Sequence, residues 1–173
     1  MTGKILAGFI VITALVAGVS LYYLQVYAFY EPVPEGGAPV VLTRLDGMEE
    51  PVPVTGFEGI DADSSPIRYR ACFNVTMSAA MMTETFEIYE HAEPLTAPGW
   101  FDCFDAAAIG AALESGAATA FLGQKDIEYG IDRVIAVFGD GRAYAWNQIN
   151  ECGAVVFDGA RAPEGCPPVP EGQ

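Results

Sequence analysis

The chain begins with a long apolar run and continues with mixed apolar and polar sequence. Ile5–Tyr30 contains no charged side chain and no proline. As a helix rising about 1.5 Å per residue, this run would be about 39 Å long, against about 30 Å for the hydrocarbon core of a bilayer. The pattern predicts a transmembrane anchor over residues 1–30.

The two ends of the anchor differ in a way that predicts its direction. Lys4 is the only charged side chain before the run ends, whereas Tyr22, Tyr23, Tyr27 and Phe29 collect at the far end. Positive flanks stay on the cytoplasmic side and aromatic rings prefer the headgroup level. We therefore expect a single-pass membrane protein with its N-terminus in the cytoplasm and residues 31–173 on the outer side of the membrane.

A cleaved secretory signal is the alternative, since Lys4 could serve as its positively charged start. Apolar cores of signal peptides usually run for about 7–15 residues, and this one is longer. The best small-residue cleavage site, Val26-Tyr27-Ala28, has a bulky ring in its middle. These features favour an anchor.

Small residues recur along one face of the anchor. Ala7, Ala14 and Gly18 fall near this face, and the last two have the spacing of helix-packing motifs. Ordinary small-residue content of a membrane span is one interpretation. The other is a flat face that packs against a second membrane helix.

Proline and glycine mark the borders of the outer part. Residues 31–39 (EPVPEGGAP) predict a short extended linker, and residues 162–173 form a Pro-rich tail. The segment between them, residues 40–161, is long enough for one domain with a hydrophobic core.

Alternating apolar positions predict several strands in this domain. The clearest signal is a β-hairpin, Arg133–Phe138 and Ala143–Ile149, around a Gly/Asp turn. Further strands are expected over Val40–Leu45, Val52–Phe57, Arg68–Thr76 and Ala154–Phe157.

Helical signals are fewer. Asp105–Ser115 has an N-cap aspartate, apolar residues on one face and Gly116 after its end. Ser78–Glu90 fits either a helix or a strand. The fold class expected is α+β, with a mainly antiparallel sheet, one or two helices and two disulfides in the outer domain.

Charge is distributed as unevenly as hydrophobicity. The formal net charge is −15, and all 23 Asp and Glu residues follow the anchor. With 7 basic residues beside those 23, residues 31–173 carry −16. Such a surface repels phosphates, so nucleic acid and anionic lipid headgroups are unfavourable partners.

The four cysteines all follow the anchor. An even number in an exported domain predicts two disulfides, for which three connectivities exist. We favour Cys72–Cys103 and Cys152–Cys166, because each joins neighbours in the sequence. A metal site built from four thiolates usually contains a closely spaced pair, which is missing here. The cysteines therefore indicate an oxidising compartment.

Catalytic signatures are missing from the sequence. His91 is the only histidine, and nothing near it resembles a nucleophile motif. Neither GxxxxGK[ST] nor GxGxxG occurs, so no nucleotide is expected. We expect no enzymatic activity, no cofactor and no metal.

The polar stretch that most resembles a binding motif lies between two predicted strands. Asp61 and Asp63 alternate like the start of a calcium loop, but its later ligands are missing. A turn whose side chains bond nearby amides is the simpler interpretation. Arg68 and Arg70 follow on one strand face, so these four residues form a possible binding region.

Phe57–Phe73 (FEGIDADSSPIRYRACF) and Asp132–Cys152 (DRVIAVFGDGRAYAWNQINEC) carry a resemblance. The chain resembles an uncharacterised bacterial family of inner-membrane proteins with one N-terminal span and a periplasmic domain. Some members bear a histidine-kinase label, which does not fit a chain without nucleotide-binding glycines or a dimerisation helix presenting a histidine. The resemblance implies a bacterial inner membrane and a periplasmic domain, and the family has no assigned activity to carry over.

Three function classes remain. The leading hypothesis is a non-enzymatic accessory or assembly subunit of an inner-membrane protein complex. The alternative is a periplasmic sensor or small-ligand-binding domain that signals through a membrane partner. An enzyme of unrecognised type is the third.

Overall fold

The computed structural model describes residues 2–36 and 39–170. It begins with α1 (Thr2–Tyr23), which continues as a π-helical segment, Leu24–Ala28. The most apolar stretch of 18 residues within Gly3–Ala28 has a mean hydropathy of 2.3, and none of that stretch is buried inside the protein. Within the described residues, this is the one helix long and apolar enough to cross a membrane, a test that an N-terminal signal sequence also passes.

The outer domain is built on an antiparallel sheet. Eight strands follow α1 in chain order: β1 (Glu31–Val33), β2 (Val41–Thr43), β3 (Glu49–Pro51), β4 (Val54–Asp61), β5 (Arg70–Val75), β6 (Ala118–Glu128), β7 (Ile131–Phe138) and β8 (Arg142–Ile149). Six of them form one sheet in the order β1-β4-β5-β8-β7-β6, and β2 pairs with β3. Every pairing is antiparallel.

Three α-helices join the sheet: α2 (Ala79–Thr85), α3 (Ala106–Ser115) and α4 (Glu151–Phe157). The α+β class, the antiparallel sheet and the N-terminal apolar helix are confirmed. In the described residues, the outer domain has three α-helices, where one or two were expected.

The β7–β8 hairpin and helix α3 agree closely with the sequence predictions. β7 and β8 pair up to Val137↔Ala143, and Gly141 takes a φ of 91° in the turn between them. Asp105 caps α3 by accepting hydrogen bonds from the amides of Ala107 and Ala108. Gly116 ends that helix in the left-handed conformation.

One predicted strand is wrong, and one segment that the sequence left open is resolved. Ala154–Phe157, expected as a strand, lies in α4, where the Asn150 side chain accepts a hydrogen bond from the Gly153 amide at 3.0 Å. That cap decides the conformation of an apolar run too short to reveal its period. The ambiguous segment after Ser78 divides into α2 and an extended stretch in which Phe86 and Ile88 form bridges.

The expected linker starts as part of the sheet. β1 lies within residues 31–39 and pairs with β4 in the register Glu31↔Asp61. Pro32 is compatible with this position because β1 is an edge strand with one side unpaired. The domain therefore begins directly after the N-terminal helix.

Hydrophobic side chains pack on both faces of the sheet. Ile135 of β7 belongs to one cluster with Leu42 and Phe86, whereas Val134 belongs to another with Ile109 and Trp146. Because β7 is buried on both faces, its sequence is almost continuously apolar.

The two disulfides have the predicted connectivity. Cys72 joins Cys103, with Cα atoms 6.3 Å apart, and Cys152 joins Cys166, with Cα atoms 5.8 Å apart. The first bond ties β5 to the segment before α3. The second ties α4 to the Pro-rich tail, which has no regular structure up to Pro170.

Candidate functional site

Arg70, one of the four expected binding residues, is a buried internal connector. Only 4% of its surface is exposed. Its guanidinium donates hydrogen bonds at 2.6–3.2 Å to four backbone carbonyls, those of Ile67, Tyr69, Leu95 and Thr96. Burial lowers the pKa of Arg70 to about 10, since the cation has lost its surrounding water. Arg70 thus holds the segment before α3 against the sheet, and four of its five N–H donors are occupied.

Asp61 and Asp63 lie where the domain meets the N-terminal helix. They line a cavity of about 290 Å³ together with Ala28, Phe29 and residues of β1. The Asp61 carboxylate accepts a hydrogen bond from the Ala62 amide at 2.8 Å, as in the turn interpretation of this stretch. In the described residues, no group of three His, Cys, Asp or Glu side chains is arranged to hold a metal ion.

Arg68 belongs to an aromatic cluster at the end of the helix. Its guanidinium lies 5.5 Å from the centre of the Tyr30 ring, and the Trp100 ring lies 5.9 Å from Tyr30 on another side. Trp100 also stacks on Tyr27 with ring centres 6.2 Å apart. These four side chains, with the Val26 carbonyl, are called the aromatic contact below.

A hydrogen bond fixes the aromatic contact. The Trp100 indole N–H donates to the Val26 carbonyl at 2.7 Å. Carbonyls in the last turn of a helix have no partner within the helix, and Trp100 supplies one from the domain. The four predicted binding residues are therefore near one another but do different things: Asp61 and Asp63 line a cavity, Arg68 stacks, and Arg70 is internal.

A second cavity lies elsewhere in the domain and was not predicted from the sequence. It measures about 380 Å³ and lies between the segment Glu87–His91 and the junction of β8 with α4. Ile88 and Ile149 line it and are 49% and 39% exposed. We call it the Ile88 cleft. Sequence patterns could not reveal it, because its walls come from four separate segments.

A buried carboxylate lies at the base of the Ile88 cleft. Asp132 is 5% exposed and accepts hydrogen bonds from the Tyr89 hydroxyl at 3.2 Å and from the Asn150 side-chain amide at 2.9 Å. The Asp126 amide donates to it as well, at 2.9 Å. Burial, and then the charge of Asp132, raise the pKa of Tyr89 above its ordinary value. The tyrosine therefore stays protonated and keeps donating at neutral pH.

Gln148 secures the rim of the Ile88 cleft. Its side-chain amide donates to the His91 carbonyl at 2.6 Å, and its oxygen accepts from the Glu93 amide at 2.7 Å. His91 therefore borders the cleft on a segment held in place through its backbone.

Acidic side chains predominate among the charged residues that line the Ile88 cleft. Glu87, Glu90, Glu151 and Asp132 contribute four carboxyl groups, against the single ammonium of Lys125. Its one sulfur, in Cys152, is in a disulfide. The cleft thus combines apolar contact area with excess negative charge.

Comparison with known proteins places the chain in a family. The model of the Family of unknown function (DUF6446) matches residues 40–167, which is most of the chain. No curated protein and no solved structure matches significantly. The chain therefore belongs to the Family of unknown function (DUF6446).

Proposed function

We propose that this protein is a non-enzymatic, single-pass subunit that presents its periplasmic domain to an inner-membrane protein complex, as an accessory or assembly factor. The proposed topology has Met1 in the cytoplasm and residues 31–173 in the periplasm. It is supported by the apolar helix, by Lys4 at one end, and by two disulfides, which need an oxidising compartment.

The observation that carries this proposal is the aromatic contact. A protein that only needed to be tethered could connect helix and domain through a flexible linker. Here Trp100 is hydrogen-bonded to Val26 and stacked on Tyr27, and β1 starts one residue after Tyr30. The domain is therefore held in a set orientation to the helix, as a subunit needs when both parts meet the same partner.

The helix surface supplies a second argument. Residues 3–25 of the helical segment are exposed, and a Cβ built at Gly18 would have no neighbour within 4 Å. Ala7, Ala14 and Gly18 are thus free to approach another helix closely, which is the way helices associate in lipid.

Affinity purification from detergent-solubilised membranes tests the proposal. We expect the full-length protein to recover a membrane protein at fixed stoichiometry, identified by mass spectrometry. The double substitution Tyr27→Ala, Trp100→Ala should reduce that recovery by releasing the domain from its orientation. Met81→Ala, at a side chain of α2 that is 53% exposed, is the control. A wild-type protein that purifies without any membrane partner would contradict the proposal.

A second function, sensing of a small molecule, is favoured by the cavity beside Asp61. This cavity is lined by Ala28 and Phe29 as well as by Asp63, so an occupant would touch helix and domain together. Native mass spectrometry of the purified protein should then show a bound small molecule that Asp61→Asn, Asp63→Asn removes. If the wild-type protein and the variant give the same mass spectrum, the cavity beside Asp61 does not bind a small molecule for sensing.

A further inference from the structure

We propose that the Ile88 cleft is a docking groove for an extended segment of a partner protein in which branched apolar side chains alternate with lysine or arginine. This inference deepens the proposed function and rests on it, because it assigns the surface of the domain that the partner would occupy.

The first support is that the Ile88 cleft contains exposed apolar side chains. Phe86 and Ile88 are two residues apart in an extended stretch, so they share a face. Phe86 is fully buried, whereas Ile88 is 49% exposed and continues the same face beyond the core. Ile149, 39% exposed, lines the cleft as well. Large apolar side chains gathered in a cavity are characteristic of interaction sites.

The second support is charge. Glu87, Glu90 and Glu151 line the cleft, and none of them takes part in an ion pair within the part of the chain that the structure describes. Lys125 is the one lysine or arginine among the lining residues. A segment bearing positive charges would neutralise this excess, and its approach would be steered by the field of the acidic domain.

The same charge argues against other occupants. A second copy of this chain would bring its own acidic domain, with 23 acidic and 7 basic side chains after Tyr30. An anionic membrane surface would be repelled for the same reason. A basic segment of a different protein is the occupant that the charge favours.

The third support is that the groove is already formed. Its outer wall is bonded to β6 through Tyr89 N–H to the Ala120 carbonyl and Leu122 N–H to the Glu87 carbonyl, each at 2.9 Å. Gln148 holds the rim of the same wall. A preformed groove loses little conformational freedom on binding.

Peptide binding to the full-length protein in phosphatidylcholine nanodiscs tests the inference. The probe is a short fluorescent peptide that alternates isoleucine with lysine. Two comparators replace either its isoleucines by serine or its lysines by glutamate. We expect saturable one-to-one binding of the probe and binding of each comparator weaker by about tenfold or more.

Variants locate the binding. Ile88→Ser, Ile149→Ser should weaken probe binding about tenfold, since both apolar contacts are lost. Leu45→Ser, Met48→Ser, at two side chains that are 67% and 60% exposed, is the matched control and should leave binding unchanged. Bound probe should also slow hydrogen exchange in residues 87–93 and 149–152.

The outcomes separate this inference from the proposed function. Equal binding of the serine comparator, or unchanged binding by the Ile88/Ile149 variant, would show general charge attraction and overturn the docking groove. If the Ile88/Ile149 variant recovers membrane partners as well as the wild-type protein does, the docking groove is overturned and the proposed function survives. If the wild-type protein recovers no partner, the proposed function fails, while the peptide result still decides whether the groove binds such a segment.

Discussion

Gly130, in the turn between β6 and β7, and Gly153, in α4, contact each other backbone to backbone. A Cβ on Gly153 would overlap the Gly130 carbonyl oxygen and would lie 2.9 Å from its carbonyl carbon. The Gly130 carbonyl also accepts a hydrogen bond from the Asn150 amide at 2.9 Å, just before the helix. The absence of both side chains lets α4 lie directly on the turn beside the Ile88 cleft.

This contact predicts that Gly153→Ala destabilises the domain although alanine favours helices. We expect a loss of about 1–3 kcal/mol in the free energy of unfolding, the usual effect of overpacking. Denaturant unfolding of the full-length protein with its disulfides intact measures it. Gly110→Ala in α3 is the control: its Cβ would have no neighbour within 4 Å, so about 0.5–1 kcal/mol of stabilisation is expected. Equal effects of the two substitutions would contradict the close contact.

Arg70→Met should be strongly destabilising. It removes the donors of four carbonyl groups and leaves polar atoms without partners in a buried place. A loss of about 3 kcal/mol or more is expected, from several unsatisfied groups at about 1–3 kcal/mol each. Arg142→Met, which breaks a solvent-exposed ion pair with Asp140, should change the midpoint of unfolding little. A small effect at Arg70 would mean that water readily replaces its donors.

Tyr89 should make the domain sensitive to alkaline pH. Its pKa is raised in the folded protein, first by burial and then by Asp132, so the folded state holds the proton more tightly than the unfolded state. The resulting stability is present below about pH 10, the ordinary tyrosine pKa, and is lost as the pH rises above it. Unfolding measured at pH 8 and pH 11 should show a smaller decline for Tyr89→Phe than for the wild type. The same decline in both would contradict the shift.

Leucine at Ala14 and Gly18 tests whether the small face of α1 has a partner. Leucine is as favourable in lipid, so insertion and both disulfides should be unaffected. Two larger side chains would force an associated helix away, and recovery of membrane partners should fall. Leucine at Ile12 and Val16, on the opposite face, is the control. Equal recovery from both variants would reduce α1 to a tether.

Topology can be measured with reporters that are active only outside the cytoplasm. A reporter fused after Gln173 should be active, and one fused before Met1 should be silent, because the positive flank lies at the N-terminal end. The mature protein should retain Met1. A mature N-terminus mapped near Phe29 would identify the apolar run as a cleaved signal.

The features that could be predicted from the sequence are those that depend on residues close together along the chain. Asp105 and Gly116 delimit α3, the Gly/Asp turn sets the hairpin, and neighbouring cysteines pair. β6 escaped notice because Ala118–Glu128 lacks a strict alternation, being buried towards one end and exposed towards the other. α4 was misassigned because its cap, Asn150, precedes the apolar run from which the strand was inferred.

The candidate sites were less accessible to sequence reasoning, for a physical reason. A short stretch such as Asp61–Arg70 suggests shared chemistry, and Arg68 and Arg70 were expected on one strand face. Arg68 instead ends a short 3-10 helix, Pro66–Arg68, and lies over the Tyr30 ring, whereas Arg70 begins β5 and is buried in the interior. The Ile88 cleft depends on long-range contacts, among them Tyr89 with Asp132 and Gln148 with His91. No local pattern encodes such pairings.

The direct passage from Tyr30 into β1 has a consequence for rotation about the helix axis. Each residue of an α-helix turns the chain by about 100° around the helix axis. The residue at which the helix ends and β1 begins therefore sets the direction in which the domain faces around that axis. With Trp100 bonded to Val26, turning the helix turns the domain with it. If α1 packs against another helix, the side of α1 that makes this contact also sets which side of the domain faces the rest of that partner.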